Sequence, residues 1–110
     1  MEIAFPHGDA KEWNETSRVV RKHGAVRAKL IRRRLDDLRA VPCLEVMRNL
    51  PGRAHELKGN RLGQLSLDLD GPYRLIFQPR NEPLPVKTDG GLDWNGVTAI
   101  AILEVADTHE

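Results

Sequence analysis

Gln64-Leu65-Ser66-Leu67-Asp68-Leu69-Asp70-Gly71-Pro72-Tyr73-Arg74-Leu75-Ile76-Phe77 decides how this chain folds. Leucines at 65, 67 and 69 alternate with polar residues, the period of a strand with one buried and one wet face. Asp70-Gly71 breaks the run and Pro72 sets the exit of a turn. Tyr73 to Phe77 is rich in strand formers again. Alternation puts Tyr73, Leu75 and Phe77 on one face, Arg74 and Ile76 on the other. Two strands joined by a turn therefore carry an arginine in apolar company, which raises the question of what anion it faces.

Working outward, Glu2-Ile3-Ala4-Phe5 predicts a short strand stopped by Pro6 and Gly8. Asp9 can cap a first helix through about Lys22, weakened by Asn14, Thr16 and Ser17 and ended at His23-Gly24. Ala25 to Ala40 is the strongest helix, with Ala28, Ile31, Leu35 and Leu38 as its apolar stripe. Lys29, Arg32, Arg33 and Asp36 fall on its other side, where Arg32–Asp36 and Arg33–Asp37 are spaced as i,i+4 pairs. Cys43 to Leu50 adds a helical turn before the break at Pro51-Gly52. After the hairpin, residues 78–91 are dense in Pro and Gly and read as a long loop, with Trp94 anchoring its return. Val97 to Val105 is almost entirely apolar, as expected of a strand covered on both faces. The expected architecture is α+β: strand, two helices, three strands, in a small antiparallel-dominated sheet with helices packed on one face.

The chain has 110 residues, enough for one domain, 1–110, with a modest core. No apolar run approaches the roughly 20 residues that span a bilayer. The N-terminus shows neither a basic leader nor a long apolar stretch, so a cytoplasmic location is expected. Cys43 is the sole cysteine, which excludes an internal disulfide and a cysteine zinc cluster. Net charge is +1, unevenly divided. Residues 1–54 hold 12 Lys/Arg against 7 Asp/Glu; residues 55–110 hold 5 against 9. A basic half can attract a polyanion, though arginine-rich helices are also common as plain solvated surface.

Two of the four histidines, His55 and His109, stand beside or beyond this hairpin, with Lys58, Arg61 and Arg74 supplying positive charge. Imidazole can give or take a proton near neutrality. Two proton-transfer groups and several cations suit RNA cleavage by the ribose 2′-hydroxyl, the cations stabilising charge on the phosphate. DNA lacks that nucleophile. No magnesium carboxylate cluster or zinc-type His/Cys spacing occurs, so neither a cofactor nor a metal is expected. The residues alone leave open that His55 ends a strand and His109 lies in a frayed tail.

The block from His55 through Leu57-Lys58-Gly59, Arg61, Gly63-Gln64, the alternating strand and Tyr73-Arg74-Leu75-Ile76-Phe77 resembles the HigB branch of the RelE/ParE toxin superfamily. Asp107-Thr108-His109 is similar to the Asp-Tyr-His that closes many HigB-like toxins. The resemblance spans essentially the whole chain and implies the RelE-like fold. It further implies a type II toxin that cleaves mRNA in the ribosomal A site without metal, neutralised by a HigA-like helix-turn-helix antitoxin. It assigns His55, Lys58, Arg74, Asp107 and His109 to the catalytic site. Arg61 becomes a phosphate contact; Arg32 and Arg33, on the arginine-rich helix, are expected to be RNA-binding residues, though an acidic antitoxin segment could cover them equally well. Thr108 departs from the pattern, since the usual tyrosine would offer a stacking surface worth about 1–3 kcal/mol. Two other readings stand beside it: a ParE-like DNA gyrase inhibitor, against which the His55 and Lys58 pair argues, and a catalytically silent regulator that binds a partner, which Thr108 keeps open.

Overall fold

The computed structural model describes residues 1–108. Strand β1 (Glu2–Ala4) leads into helices α1 (Lys11–Asn14), α2 (Thr16–His23) and α3 (Ala25–Ala40). A 3₁₀ turn over Leu44–Asn49 precedes β2 (His55–Glu56), β3 (Leu65–Asp68), β4 (Tyr73–Pro79) and β5 (Ala99–Asp107). The five strands lie in the order β1-β5-β4-β3-β2. β1 runs parallel to β5 and every other neighbouring pair is antiparallel. The α+β architecture is the one the periodicity predicts, with two refinements. A two-residue strand at His55 joins the sheet edge, and the first helix divides.

That division falls at Glu15, which is extended (φ −86°, ψ 115°). Arg32 of α3 exploits the gap, donating to the Asn14 carbonyl at 3.2 Å and to Thr16 Oγ1 at 2.7 Å. Arg39 likewise donates to Asn14 Oδ1. The expected Arg32–Asp36 pair is thus replaced, and Asp36 lies 3.7 Å from Arg39 instead. Carbonyls freed at a helix break reward a donor more than a solvated carboxylate does. Gly24, at φ +84°, lets α2 turn directly into α3.

The stripe Ala28, Ile31, Leu35 and Leu38 is buried. It shares one core with Leu65, Leu67, Leu75, Phe77, Ile100 and Ile102. Full burial of each such aliphatic chain contributes roughly 1.5–3 kcal/mol. Leu57, Ile76, Ala101 and Leu103 form a smaller apolar cluster on the opposite face. β3 departs from the expected wet face, since Ser66 is as fully buried as the leucines beside it. The chain from Leu57 to Gln64 folds back beside it, with the Leu57 N–H donating to the Gln64 carbonyl at 2.9 Å. Trp94 anchors the returning loop: it is buried, donates to Glu56 Oε2 at 3.1 Å, and lies under Arg48.

Candidate functional site

Cross-strand register gathers the chemistry-bearing residues of the hairpin on the sheet face away from α3. His55 lies opposite Ser66, Ser66 opposite Ile76, and Ile76 opposite Glu104. One step along, Asp68 lies opposite Arg74 and Arg74 opposite Ala106. Residues paired this way share a face.

His55 is held at both nitrogens. Nδ1 is 2.9 Å from the Arg53 carbonyl, which can only accept, so Nδ1 carries the proton. Nε2 of the neutral ring is then an acceptor, with Ser66 Oγ 3.5 Å away. A backbone contact that fixes the tautomer leaves Nε2 as the basic nitrogen.

Arg74 curls over the turn, with Nη1 donating to the Gly71 and Tyr73 carbonyls at 2.9 Å each. Its Nε lies 2.9 Å from Asp68 Oδ1. The contact is an ion pair without hydrogen-bond alignment, so this buried N–H has no acceptor among the described residues. Asp68 also receives Arg53, whose Nε is 3.0 Å from Oδ2 and Nη2 3.3 Å from Oδ1. Bonding to Asp68 raises the Arg53 pKa above its ordinary value. The aspartate is braced through its main chain: its N–H donates to the Gly52 carbonyl at 2.7 Å, and its own carbonyl accepts from buried Arg34 Nε at 2.8 Å. Gly52 permits this approach, since a Cβ there would sit 2.9 Å from Arg34 Nε and 3.1 Å from Leu67 Cδ2. Arg53 follows at φ +51°, the left-handed region that non-glycine residues seldom occupy.

Arg61 donates to Gln64 Oε1 at 3.1 Å and lies 3.5 Å from Glu104 Oε2, on the His55 side of the sheet. Lys58 is exposed just before the 3₁₀ turn Gly59–Arg61. Asp107 pairs with Tyr73 rather than Arg74, so alternation directs it to the face that α3 covers. The Thr108 N–H donates to the Pro72 carbonyl at 3.2 Å. His109 lies outside the described residues. Arg32 and Arg33 belong to the helical layer, bordering a groove of about 400 Å³ with Trp13, Val19 and Val20, and not to the strand face. Arg32 is a brace for α1 and α2, as its hydrogen bonds show.

The structure therefore brings His55, Arg61 and Arg74 to one face and separates Asp107, Arg32 and Arg33 from it. Arg53 and Asp68 join them there, with Arg34 of α3 behind Asp68, and none of the three is among the residues the sequence points to. Asp68 could have been found by counting back across the turn from Arg74; nothing local marks Arg53 or Arg34. Among the described residues, no three His, Cys, Asp or Glu converge as metal ligands, and no helix is long and apolar enough to cross a membrane.

A second arginine site marks the other side of the same turn. Arg27 of α3 meets Asp70 through Nε at 2.9 Å and Nη2 at 3.2 Å, and its guanidinium lies 3.5 Å from the Tyr73 ring centroid. The Arg27 hydrogen bond holds the Asp70 carboxyl below its usual range.

No protein-family model matches the chain, and no curated protein matches it in sequence. Among solved structures, a YoeB/ParE toxin from Agrobacterium tumefaciens aligns over 99% of this chain and 100% of its own, with a TM-score of 0.60 at 10% identity. The strand order, the helical hairpin and this superposition together assign the chain the fold of a YoeB/ParE toxin.

Proposed function

We propose that this chain, as a single domain over 1–110, is the toxin of a type II toxin–antitoxin pair. Its activity is that of a HigB-like, ribosome-dependent mRNA endonuclease. The observation that carries the reading is His55 with a fixed tautomer on the same sheet face as Arg74, in a toxin fold. Nε2 of His55 takes the 2′-hydroxyl proton as that oxygen attacks the adjacent phosphorus. The bond from phosphorus to the 5′-oxygen breaks, leaving a 2′,3′-cyclic phosphate. The return of a proton to the 5′-oxygen is assigned to His109, while Asp107, on the opposite face, takes no part in the step. Arg74 and Lys58 stabilise charge on the phosphate, where one well-placed donor contributes about 3–4 kcal/mol. Arg61 holds the neighbouring phosphate, and no metal enters the scheme.

The setting is mRNA in the ribosomal A site, in the cytoplasm. A HigA-like antitoxin neutralises the chain. Arg32 and Arg33 serve ribosomal RNA or the antitoxin rather than the scissile bond, given their place on the helical layer. A second reading, a non-cleaving partner-binding protein, draws support from Asp68, whose carboxylate already occupies Arg53 and Arg74.

Induction of the protein with mapping of mRNA 5′ ends tests the choice. Codon-associated cleavage, lost in His55→Ala and Arg74→Ala, is the expected result. Intact mRNA with gyrase-dependent DNA damage would overturn it in favour of inhibition of gyrase. Intact mRNA and no growth defect would leave the partner-binding reading.

A further inference from the structure

We propose that Asp68 is an internal counter-anion occupying the position of a nucleic-acid phosphate between Arg53 and Arg74. The face would then accept RNA only as a phosphate displaces that carboxylate. The proposal deepens the nucleic-acid reading above and rests on it.

The geometry of the cluster carries it. Both Asp68 oxygens are engaged by arginines, Oδ2 by Arg53 Nε at 3.0 Å and Oδ1 by Arg53 Nη2 at 3.3 Å and Arg74 Nε at 2.9 Å. A guanidinium fork matches a pair of phosphate oxygens as well as a pair of carboxylate oxygens. Two arginines drawn together around one carboxylate thus outline an oxoanion site.

The fit on the Arg74 side is incomplete. Its Nε–H is buried and lacks an aligned acceptor although a carboxylate oxygen is within 2.9 Å. A buried donor without an acceptor is costly, and an oxygen approaching on the line of that N–H would relieve it. Asp68 cannot supply that alignment by shifting its backbone, because Gly52 and Arg34 hold its N–H and carbonyl. Its side chain can still rotate away and leave those two bonds intact. Arg53 is the exposed partner, 59% accessible against 13% for Arg74, so an anion arrives past Arg53 and reaches Arg74 last. Arg53 itself sits at φ +51°, a strained conformation for a non-glycine residue of the kind that collects at ligand sites.

The alternative is that Asp68 merely positions the two arginines, so that removing its charge weakens binding. A fluorescein-labelled RNA oligonucleotide carrying 2′-O-methyl groups discriminates the two, because it binds without being cleaved. Affinity is read by anisotropy across a salt series for the wild type, Asp68→Asn and the Asp68→Asn/Arg74→Ala double variant. Asp68→Asn is expected to bind about tenfold tighter at low salt, with a salt slope steeper by about one phosphate contact. The double variant is expected to lose that gain. Equal or weaker binding by Asp68→Asn overturns the proposal, as does a gain that survives loss of Arg74. Should Asp68→Asn fail to fold, as judged by its melting curve, Asp68→Ser carries the same expectations. Tighter binding without mRNA cleavage sinks the nuclease reading and keeps this one, and cleavage with weaker binding does the reverse.

Discussion

The two faces of the β3–β4 turn each hold an arginine–aspartate contact, and they differ in how completely it is satisfied. On the α3 side, Arg27 meets Asp70 through two aligned hydrogen bonds and stacks on Tyr73. Planar fork, carboxylate and ring use the guanidinium fully, and the result ties a helix to a hairpin. On the other side, one aspartate serves two arginines and leaves a buried N–H of Arg74 without an acceptor. The first contact is closed and structural. The second retains unused donor capacity, which is what an anion-binding face requires. Like residue types at nearly adjacent positions thus do different work because the α3 side supplies a third partner and the other side a competing cation.

The comparison breaks most severely at Gly52. Alanine there combines φ +116° with a Cβ pressed against Arg34 and Leu67. It is expected to destabilise the fold by roughly 2–4 kcal/mol in denaturant unfolding, removing the brace behind Asp68. Loss of less than 0.5 kcal/mol would mean that Arg34 yields easily and braces nothing.

The closed contact is the next to test. Arg27→Ala removes the ion pair and the stack, at a cost of about 1 kcal/mol once solvent screening of partly exposed groups is allowed for. Its pH dependence fixes the assignment. Asp70 has a depressed carboxyl pKa in the folded state, so its contribution is fully present above the unfolded value of 3.8 and is lost as pH falls through the folded value. Unfolding curves between pH 5 and 2 are expected to converge for wild type and Arg27→Ala; parallel curves would assign the acid limb to other carboxylates.

The smallest stability effect belongs to the open side. Arg53→Gln removes an exposed charge and is expected to leave the melting temperature almost unchanged. Oligonucleotide binding is expected to weaken and its salt slope to fall by about one. A changed melting temperature with unchanged binding would class Arg53 with Arg27 as a structural residue.

Much of this was legible in the linear chain, and the limit of legibility has a physical cause. Backbone dihedrals repeat with fixed periods, so the apolar spacing located α3 from Ala25 to Ala40 and the α+β class. The same alternation told Tyr73, Leu75 and Phe77 from Arg74 and Ile76. Glycine and proline marked the turns because few other residues tolerate those angles. Folding in three dimensions decided the rest. It buried Ser66, diverted Arg32 from Asp36 to the broken end of α1, paired Asp107 with Tyr73, and drew Arg53 to Asp68 across fifteen positions of sequence. Those contacts join residues far apart in the chain, and which of them meet depends on how sheet register and helix packing close the whole core, a condition that no local period encodes.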